Sequence, residues 1–346
     1  MKIAIHWFRR DLRLDDNTAL YNALQGKYPV LPLFIFDENI TGELEKDDAR
    51  IGFIYERLKD IQSKLGQHGS SLLVMQAKPE DVFKSLLDKY ELSTLYYNKD
   101  YEPYALDRDR SVAELLKANG IAVHASKDQV IFEENEVVKD DGKPYTVYTP
   151  YKNKWLERYH QAEPGALKAF NPDNLFRHSF DFPSLGKLGF QPAQAKVMPA
   201  DLSVISDYAK TRDLPAVDGT SHLGPHLRFG TVSIRMLIQK YLNVSKVFIS
   251  ELIWREFFMQ ILFHFPHVVD QNFRSKYDGI QWRNNEEEFK AWCNGKTGYP
   301  MVDAGMRQLN MTGYMHNRVR MITASFLCKH LLIDWRWGEA YFARKL

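Results

Sequence analysis

Cysteine is scarce in this sequence, since Cys293 and Cys328 are the only two among 346 residues. That scarcity excludes a disulfide framework and a cysteine-based zinc site, and it is typical of a reducing compartment. Long apolar runs are absent too: the most apolar stretch, Phe257 to Phe265, is too short to span a bilayer. Because no basic leader with an apolar run opens the chain, the sequence predicts a cytoplasmic protein without membrane contact.

Net charge is also small, at +2 from 46 basic and 44 acidic side chains. That excess does not by itself indicate a nucleic-acid partner, which would require positive charge gathered on one face. The Gly-x-Gly-x-x-Gly dinucleotide fingerprint is missing after the first apolar segment, where Arg9–Arg13 stands instead. A nucleotide-like ligand would therefore be bound in another way.

Strand and helix patterns alternate over the first 125 or so residues. Short apolar runs predict five strands: Lys2–Phe8, Val30–Phe36, Ser71–Met75, Thr94–Tyr97 and Ile121–His124. Helices are predicted between them, at about 17–24, 48–65, 80–89 and 106–119, the first capped by Asp15 or Asp16. One-helix crossovers predict a doubly wound parallel sheet covered on both faces, an α/β domain.

The remaining chain changes character twice. Seven prolines interrupt a stretch with weak periodicity between Gln129 and Pro199, and from about Asp201 the pattern is helical. We therefore predict an α/β domain at 1–128, an interdomain linker at 129–200 and an all-helical domain at 201–346. Predicted helices include Tyr151–Gln161 in the linker and Leu202–Thr211 at the start of the helical domain.

Asp218–Ser233 is dense in glycine, serine and threonine ahead of a helix. Small hydroxyl side chains and approachable backbone N–H groups suit a phosphate or pyrophosphate. The plainer interpretation is a surface turn in which Ser233 caps the following helix.

Two helical segments place unusual side chains on one face. Glu251, Trp254 and Arg255 stand at i, i+3 and i+4, where a carboxylate, a flat ring and a guanidinium can hydrogen-bond and stack on a base. A simple surface Glu251–Arg255 ion pair is the alternative. Asn317 and Met321 likewise share a face with Arg320, and an ordinary helix with a capping Asn317 is the alternative there.

The sequence resembles one family along essentially its whole length. His6–Leu20 resembles the photolyase/cryptochrome N-terminus, and Gly295–Leu309 is similar to that family's most recognisable internal stretch. Met315–Met321 resembles enzymes that repair cyclobutane pyrimidine dimers, so class I DNA photolyases are the most similar subfamily. The fold implied is an antenna-type α/β domain followed by a helical FAD-binding and DNA-binding domain. The implied activity is light-driven dimer repair by electron transfer from excited reduced FAD to a flipped-out dimer.

The resemblance also implies site residues. Those implied to contact FAD are Tyr208, Thr220, Ser221, His222, Leu223, Gly224, Arg255 and Arg320. Those implied to contact DNA are Arg212, Trp254, Arg318 and Met321, with Arg255 also assigned to a flanking phosphate. Catalytic roles fall to Glu251 and Asn317 at the dimer and to Trp282 and Trp335 as electron carriers. No metal is implied, and the protein is expected to act as a monomer.

Three departures from the family pattern bear on function. Gly224 stands where a serine is common, and Tyr104 and Ala105 replace a polar pair that grips a folate antenna. The second chromophore is therefore left open, with a folate disfavoured. Family members continue past Leu346, so the helical domain is expected to be incomplete. Two alternatives follow from the same resemblance: a cryptochrome-type blue-light photoreceptor, and an inactive truncated form.

Overall fold

The chain folds as two compact units. The computed structural model describes residues 1–162, 165 and 167–346. Met1–Pro192 and His222–Pro266 form the first unit, and Ala193–Ser221 and His267–Leu346 form the second. The predicted boundaries at 128 and 200 stay a prediction.

A five-stranded parallel sheet lies at the centre of the first unit, in the order β3-β2-β1-β4-β5. Its strands are β1 Lys2–Phe8, β2 Val30–Asp37, β3 Leu73–Ala77, β4 Glu91–Asn98 and β5 Ala122–Ser126. The helices that follow them are α1 Thr18–Leu24, α2 Glu38–Thr41, α3 Ala49–Gly66, α4 Pro79–Lys89 and α5 Pro103–Ala118. The predicted doubly wound α/β fold is confirmed.

Side chains of β1 alternate between two hydrophobic cores, as the pleat of a strand requires. Phe8 packs in the core that contains Leu58 of α3, whereas Trp7 packs in the core that contains Phe83 of α4. Because both faces are covered, the strand reads as a nearly continuous apolar run.

Asn17 caps α1, so the predicted cap at Asp15 or Asp16 is wrong. Its Oδ1 accepts from Leu20 N at 3.1 Å. The carboxylate of Asp16 is used elsewhere, because Arg235 Nε donates to it at 2.9 Å. An amide suits this cap because its Nδ2 also donates to Asp11 Oδ2 at 3.0 Å.

Nine further helices follow in the described residues. They are α6 Tyr148–Gln161, α7 Tyr208–Thr211, α8 Leu223–Arg228, α9 Ile234–Tyr241, α10 Lys246–His264, α11 Glu286–Cys293, α12 Pro300–Thr312, α13 Asn317–Lys329 and α14 Trp335–Lys345. Helices α6, α8, α9 and α10 belong to the first unit. The second unit packs around Trp292 of α11, Met306 of α12 and Leu327 of α13.

The helix predicted over Leu202–Thr211 is wrong as a continuous element. A 3₁₀ turn covers Ser203–Ser206, and α7 starts only at Tyr208. The carboxylate of Asp201 accepts from both the N–H and the hydroxyl of Ser203. Short polar side chains that bind nearby backbone in this way compete with helix formation.

Candidate functional site

Trp254 of α10 carries a stacked aromatic partner that lies far away in the sequence. The ring of Tyr148 is 3.6 Å from the Trp254 ring, centroid to centroid, and only 8° from parallel. Phe258, one turn further along α10, is 60% exposed and lies 5.3 Å from Trp254 at 22°. The predicted face of Trp254 is therefore a partly exposed aromatic surface on the first unit.

Glu251 lies beside this aromatic surface, half-buried on the same helix. Burial, with a smaller contribution from the negative charge of Glu251, outweighs the lowering effect of the Ser250 hydrogen bond and raises the pKa of Tyr148 to about 12. A carboxyl group next to flat apolar rings can hydrogen-bond the edge of a base whose face is stacked.

Arg255 does not share this surface. Its Nη1 donates to Gln129 O at 2.7 Å and its Nη2 to Leu227 O at 3.2 Å. Burial, joined by repulsion from Arg10, lowers the pKa of Arg255 to about 10. Arg255 therefore ties together the chain around 129 and 227, and its predicted contact with FAD or phosphate stays a prediction.

Glu256, which the sequence reasoning missed, is a buried anchor in the first unit. Its carboxylate accepts from Ile131 N at 2.7 Å, Trp155 Nε1 at 2.7 Å and Tyr151 Oη at 3.2 Å. Phe132 N donates to the same carboxylate at 3.2 Å. Burial outweighs these donors and raises the pKa of Glu256 to about 7.

The segment Asp218–Ser233, rich in glycine, serine and threonine, is called the glycine–hydroxyl loop below. The division of the chain into two units falls within it, after Ser221. In the second unit the hydroxyl of Thr220 hydrogen-bonds that of Tyr314 at 2.9 Å, and buried Ser221 accepts from Asp201 N through its carbonyl. In the first unit His222 has a positive φ of 50° and Leu223 begins α8.

Two glycines of this loop have opposite surroundings. A Cβ at Gly224 would meet nothing within 4 Å, whereas a Cβ at Gly219 would come within 2.4 Å of Thr211 Cβ. We expect Gly224→Ser to leave the melting temperature unchanged and Gly219→Ser to destabilise the protein by about 1–3 kcal/mol through overpacking. Thermal unfolding of the matched pair checks this; a destabilised Gly224→Ser variant would contradict it.

Asn317, Arg320 and Met321 were predicted to share one face of α13, and only Asn317 and Met321 are seen next to each other. Asn317 and Met321 are exposed and adjacent, with Nδ2 3.9 Å from Sδ. His316, not Asn317, caps the helix by accepting from Arg318 N. Arg320 makes a different contact: its Nη2 donates to Met315 O at 3.2 Å, and its Nε is buried with no partner among the described residues.

Three further predicted residues cluster near Asp213 in the second unit. Arg318 Nε donates to Asp213 Oδ1 at 2.8 Å, and Arg212 Nε approaches the same oxygen at 3.3 Å. Arg212 also lies 5.5 Å above the ring of Tyr208. The hydrogen bond from Arg318, ahead of the charge of Arg212, lowers the pKa of Asp213 despite slight desolvation.

The two predicted electron carriers, Trp282 and Trp335, are half-buried in the second unit. Trp335 Nε1 donates to Asn272 Oδ1 at 3.0 Å, which fixes the indole at the start of α14. Their roles in electron transfer stay predictions.

Within the described ranges, no helix has both the length and the apolar character needed to cross a membrane. No group of three or more His, Cys, Asp or Glu side chains there could hold a metal ion.

Two family models match this sequence. Residues 4–169 match the model described as DNA photolyase, and residues 248–346 match the FAD binding domain of DNA photolyase. Deoxyribodipyrimidine photo-lyase of Synechococcus sp. is 36% identical over 373 aligned residues, which cover 99% of this chain and 77% of the relative. The protein of the same name in Escherichia coli is 35% identical, with 98% and 77% covered.

Solved structures are similar over the whole chain. A class III photolyase from Agrobacterium tumefaciens superposes with a TM-score of 0.87 at 32% identity, covering 100% of this chain and 76% of that one. An archaeal photolyase from Sulfolobus tokodaii, crystallised with two FAD molecules, superposes with a TM-score of 0.84 at 33% identity, covering 100% and 79%.

Proposed function

Because the chain belongs to the photolyase/cryptochrome family, we propose that it is a deoxyribodipyrimidine photo-lyase, a carbon–carbon lyase that uses light to split cyclobutane pyrimidine dimers in DNA. The observation that carries this proposal is the pairing of Glu251 with the aromatic surface of Trp254 on α10. That pairing offers both a hydrogen-bonding group and a stacking ring to an extruded base.

The described residues fit FAD as the cofactor. Arg320 offers a buried Nε that lacks a partner in the described part of the chain, so a donor is left for a ligand. In the second unit the Thr220 hydroxyl suits a phosphate oxygen. In the first unit the open space at Gly224 leaves the backbone approachable for one. When bound, reduced FAD supplies the electron that light excites.

The protein's own part is to receive, hold and polarise the lesion. A dimer inside a duplex is out of reach, and extruding it requires a few kcal/mol, least where the pair is already damaged. Trp254 would stack on the extruded dimer, and Glu251, with its carboxyl group protonated, would donate a hydrogen bond to the dimer and stabilise the negative charge that develops during splitting. Asn317 and Met321 are proposed to contact the dimer as well.

Arg212 and Arg318 are proposed to hold phosphates that flank the lesion. We expect Arg318→Gln to weaken binding to damaged and undamaged DNA alike, by roughly five- to tenfold at 0.1 M salt, and to reduce the log–log salt slope by about 0.9. Titrations at several salt concentrations measure both. Arg336 is an exposed arginine of the same unit that pairs with Asp334, so Arg336→Gln is the matched control. Equal salt slopes for the two variants would contradict the assignment of Arg318 to a phosphate.

Cytoplasmic location, a monomeric state, the class I subfamily and the wider set of FAD contacts are part of the same proposal. A second chromophore stays open. The Tyr104 hydroxyl donates a hydrogen bond to Asp37 Oδ2 at 2.6 Å, and Ala105 is buried.

The deciding experiment is illumination of the protein with an oligonucleotide that carries one thymine dimer. We expect intact thymines to appear only with light and bound FAD. A protein that binds FAD and responds to light without restoring thymines would favour the cryptochrome-type receptor instead, and one that takes up no flavin would favour the inactive form.

A further inference from the structure

Tyr148 has no role in the function proposed above, yet it is fixed against the residue proposed to stack on the lesion. Its ring covers one face of the Trp254 indole at 3.6 Å and 8°. Phe258 also lies near this indole, at 5.3 Å and 22°, so another ring can use only the part of the indole that neither side chain covers.

The hydroxyl of Tyr148 is held as firmly as its ring. It donates to Ser250 O at 2.7 Å and lies 2.6 Å from Ser250 Oγ. In an α-helix the carbonyl of residue 250 also accepts from the N–H of residue 254. Tyr148 therefore contacts both ends of the helical turn that presents Glu251 and Trp254.

The helix that carries Tyr148 is itself anchored to α10. Tyr148 is the first residue of α6, and on the same helix Tyr151 and Trp155 both donate to the buried carboxylate of Glu256. A side chain supported in this way can act as a rigid backing because its own freedom has already been lost on folding.

We propose that Tyr148 is a positioning residue for lesion recognition, which fixes the Trp254 ring so that a flipped pyrimidine dimer stacks on the part of the indole that Tyr148 and Phe258 leave uncovered. This inference rests on the proposed function. A loose Trp254 would have to be immobilised when the lesion binds, and that ordering would lower affinity. Stacking requires the two ring planes to be nearly parallel, so it depends on the orientation of the Trp254 ring.

The test compares Tyr148→Leu, which loses the stacked ring, with Tyr148→Phe, which keeps the ring and loses the hydroxyl. We expect Tyr148→Leu to raise the Kd and the KM for dimer-containing DNA about three- to tenfold. Repair per absorbed photon at saturating DNA should not change, since the ring does not contact the reacting bonds. Tyr148→Phe should stay within about twofold of the wild type, because the stack persists. Tyr145→Leu, whose ring packs edge-on against Tyr151, is the matched control.

A double-mutant cycle guards against a general folding defect. If Tyr148 acts through Trp254, then Tyr148→Leu should have no further effect on dimer affinity in a Trp254→Phe background. Equal losses in both backgrounds, or equal losses for damaged and undamaged DNA, would overturn the inference. A wild-type protein that repairs no dimers would instead refute the proposed function. Unchanged affinity of Tyr148→Leu in a protein that does repair them would refute the inference alone.

Discussion

Replacing Glu251 by alanine is expected to lower the number of dimers repaired per absorbed photon several-fold, while dimer binding changes much less. The side chain is half-buried beside the Tyr148–Trp254 stack, where water is partly excluded. A hydrogen bond to a charged group contributes about 1.5–3 kcal/mol, and it grows as negative charge develops on the dimer during splitting. Most of the loss should therefore appear in repair at saturating DNA.

Glu251→Gln separates hydrogen bonding from charge, because the amide supplies an N–H donor at the same place and cannot ionise. We expect it to retain most of the repair that alanine loses. Glu287→Ala, on the first turn of α11, is an exposed control that should behave as the wild type. Full repair per photon by Glu251→Ala with normal dimer binding would rule out the assigned role.

The sheet was predictable from sequence because its strands are buried on both faces and separated by single helices. β1 was predicted with its observed bounds, since six of its seven residues are buried. The cap of α1 was not predictable: Asp15, Asp16 and Asn17 can all cap a helix, and Asp16 is engaged by Arg235 from far along the chain. Long-range pairing of this kind leaves no local signal.

In the candidate site, too, local spacing was predictable from the sequence and long-range contacts were not. Helical spacing placed Glu251 and Trp254 on one face, and also placed Asn317 beside Met321. Spacing alone could not show that Arg255 donates to Gln129, because the acceptor is a backbone carbonyl 126 residues away in the sequence. A signal for α6 was present, since Tyr148, Tyr151, Trp155 and Tyr159 recur at helical spacing within a stretch whose overall periodicity is weak.

The buried carboxyl of Glu256 is expected to make the stability of the protein depend on pH. Its pKa is raised from 4.5 to about 7 by burial, so the folded state holds a proton that the unfolded chain has released. Stability from this group is fully present below about pH 4.5 and is lost as pH rises through about 7. Because each tenfold change in proton affinity corresponds to about 1.4 kcal/mol, the full effect is on the order of 3 kcal/mol.

Glu256→Gln removes this titration and leaves an amide. At pH 5 we expect the variant to be less stable than the wild type by about 1–3 kcal/mol, because the amide nitrogen cannot accept the hydrogen bonds that reach one of the two carboxyl oxygens. At pH 8 this difference in the free energy of unfolding, called the gap below, should shrink by about 2–3 kcal/mol, because only the wild type has then lost the proton of Glu256. Urea unfolding of both proteins at the two pH values measures the change, and other titrating groups cancel in the comparison.

Glu157→Gln on α6 makes the same chemical change where the side chain is exposed, and it should leave the gap constant with pH. A gap for Glu256→Gln that is equal at pH 5 and pH 8 would show that the buried carboxyl keeps one charge state throughout this range. The four donors would then have outweighed burial, and Glu256 would be a permanent anion that ties residues 131 and 132 and the helix α6 to α10. In either case the aromatic face of Trp254 depends on this anchor, because the helix that carries Tyr148 is bound to α10 through Glu256.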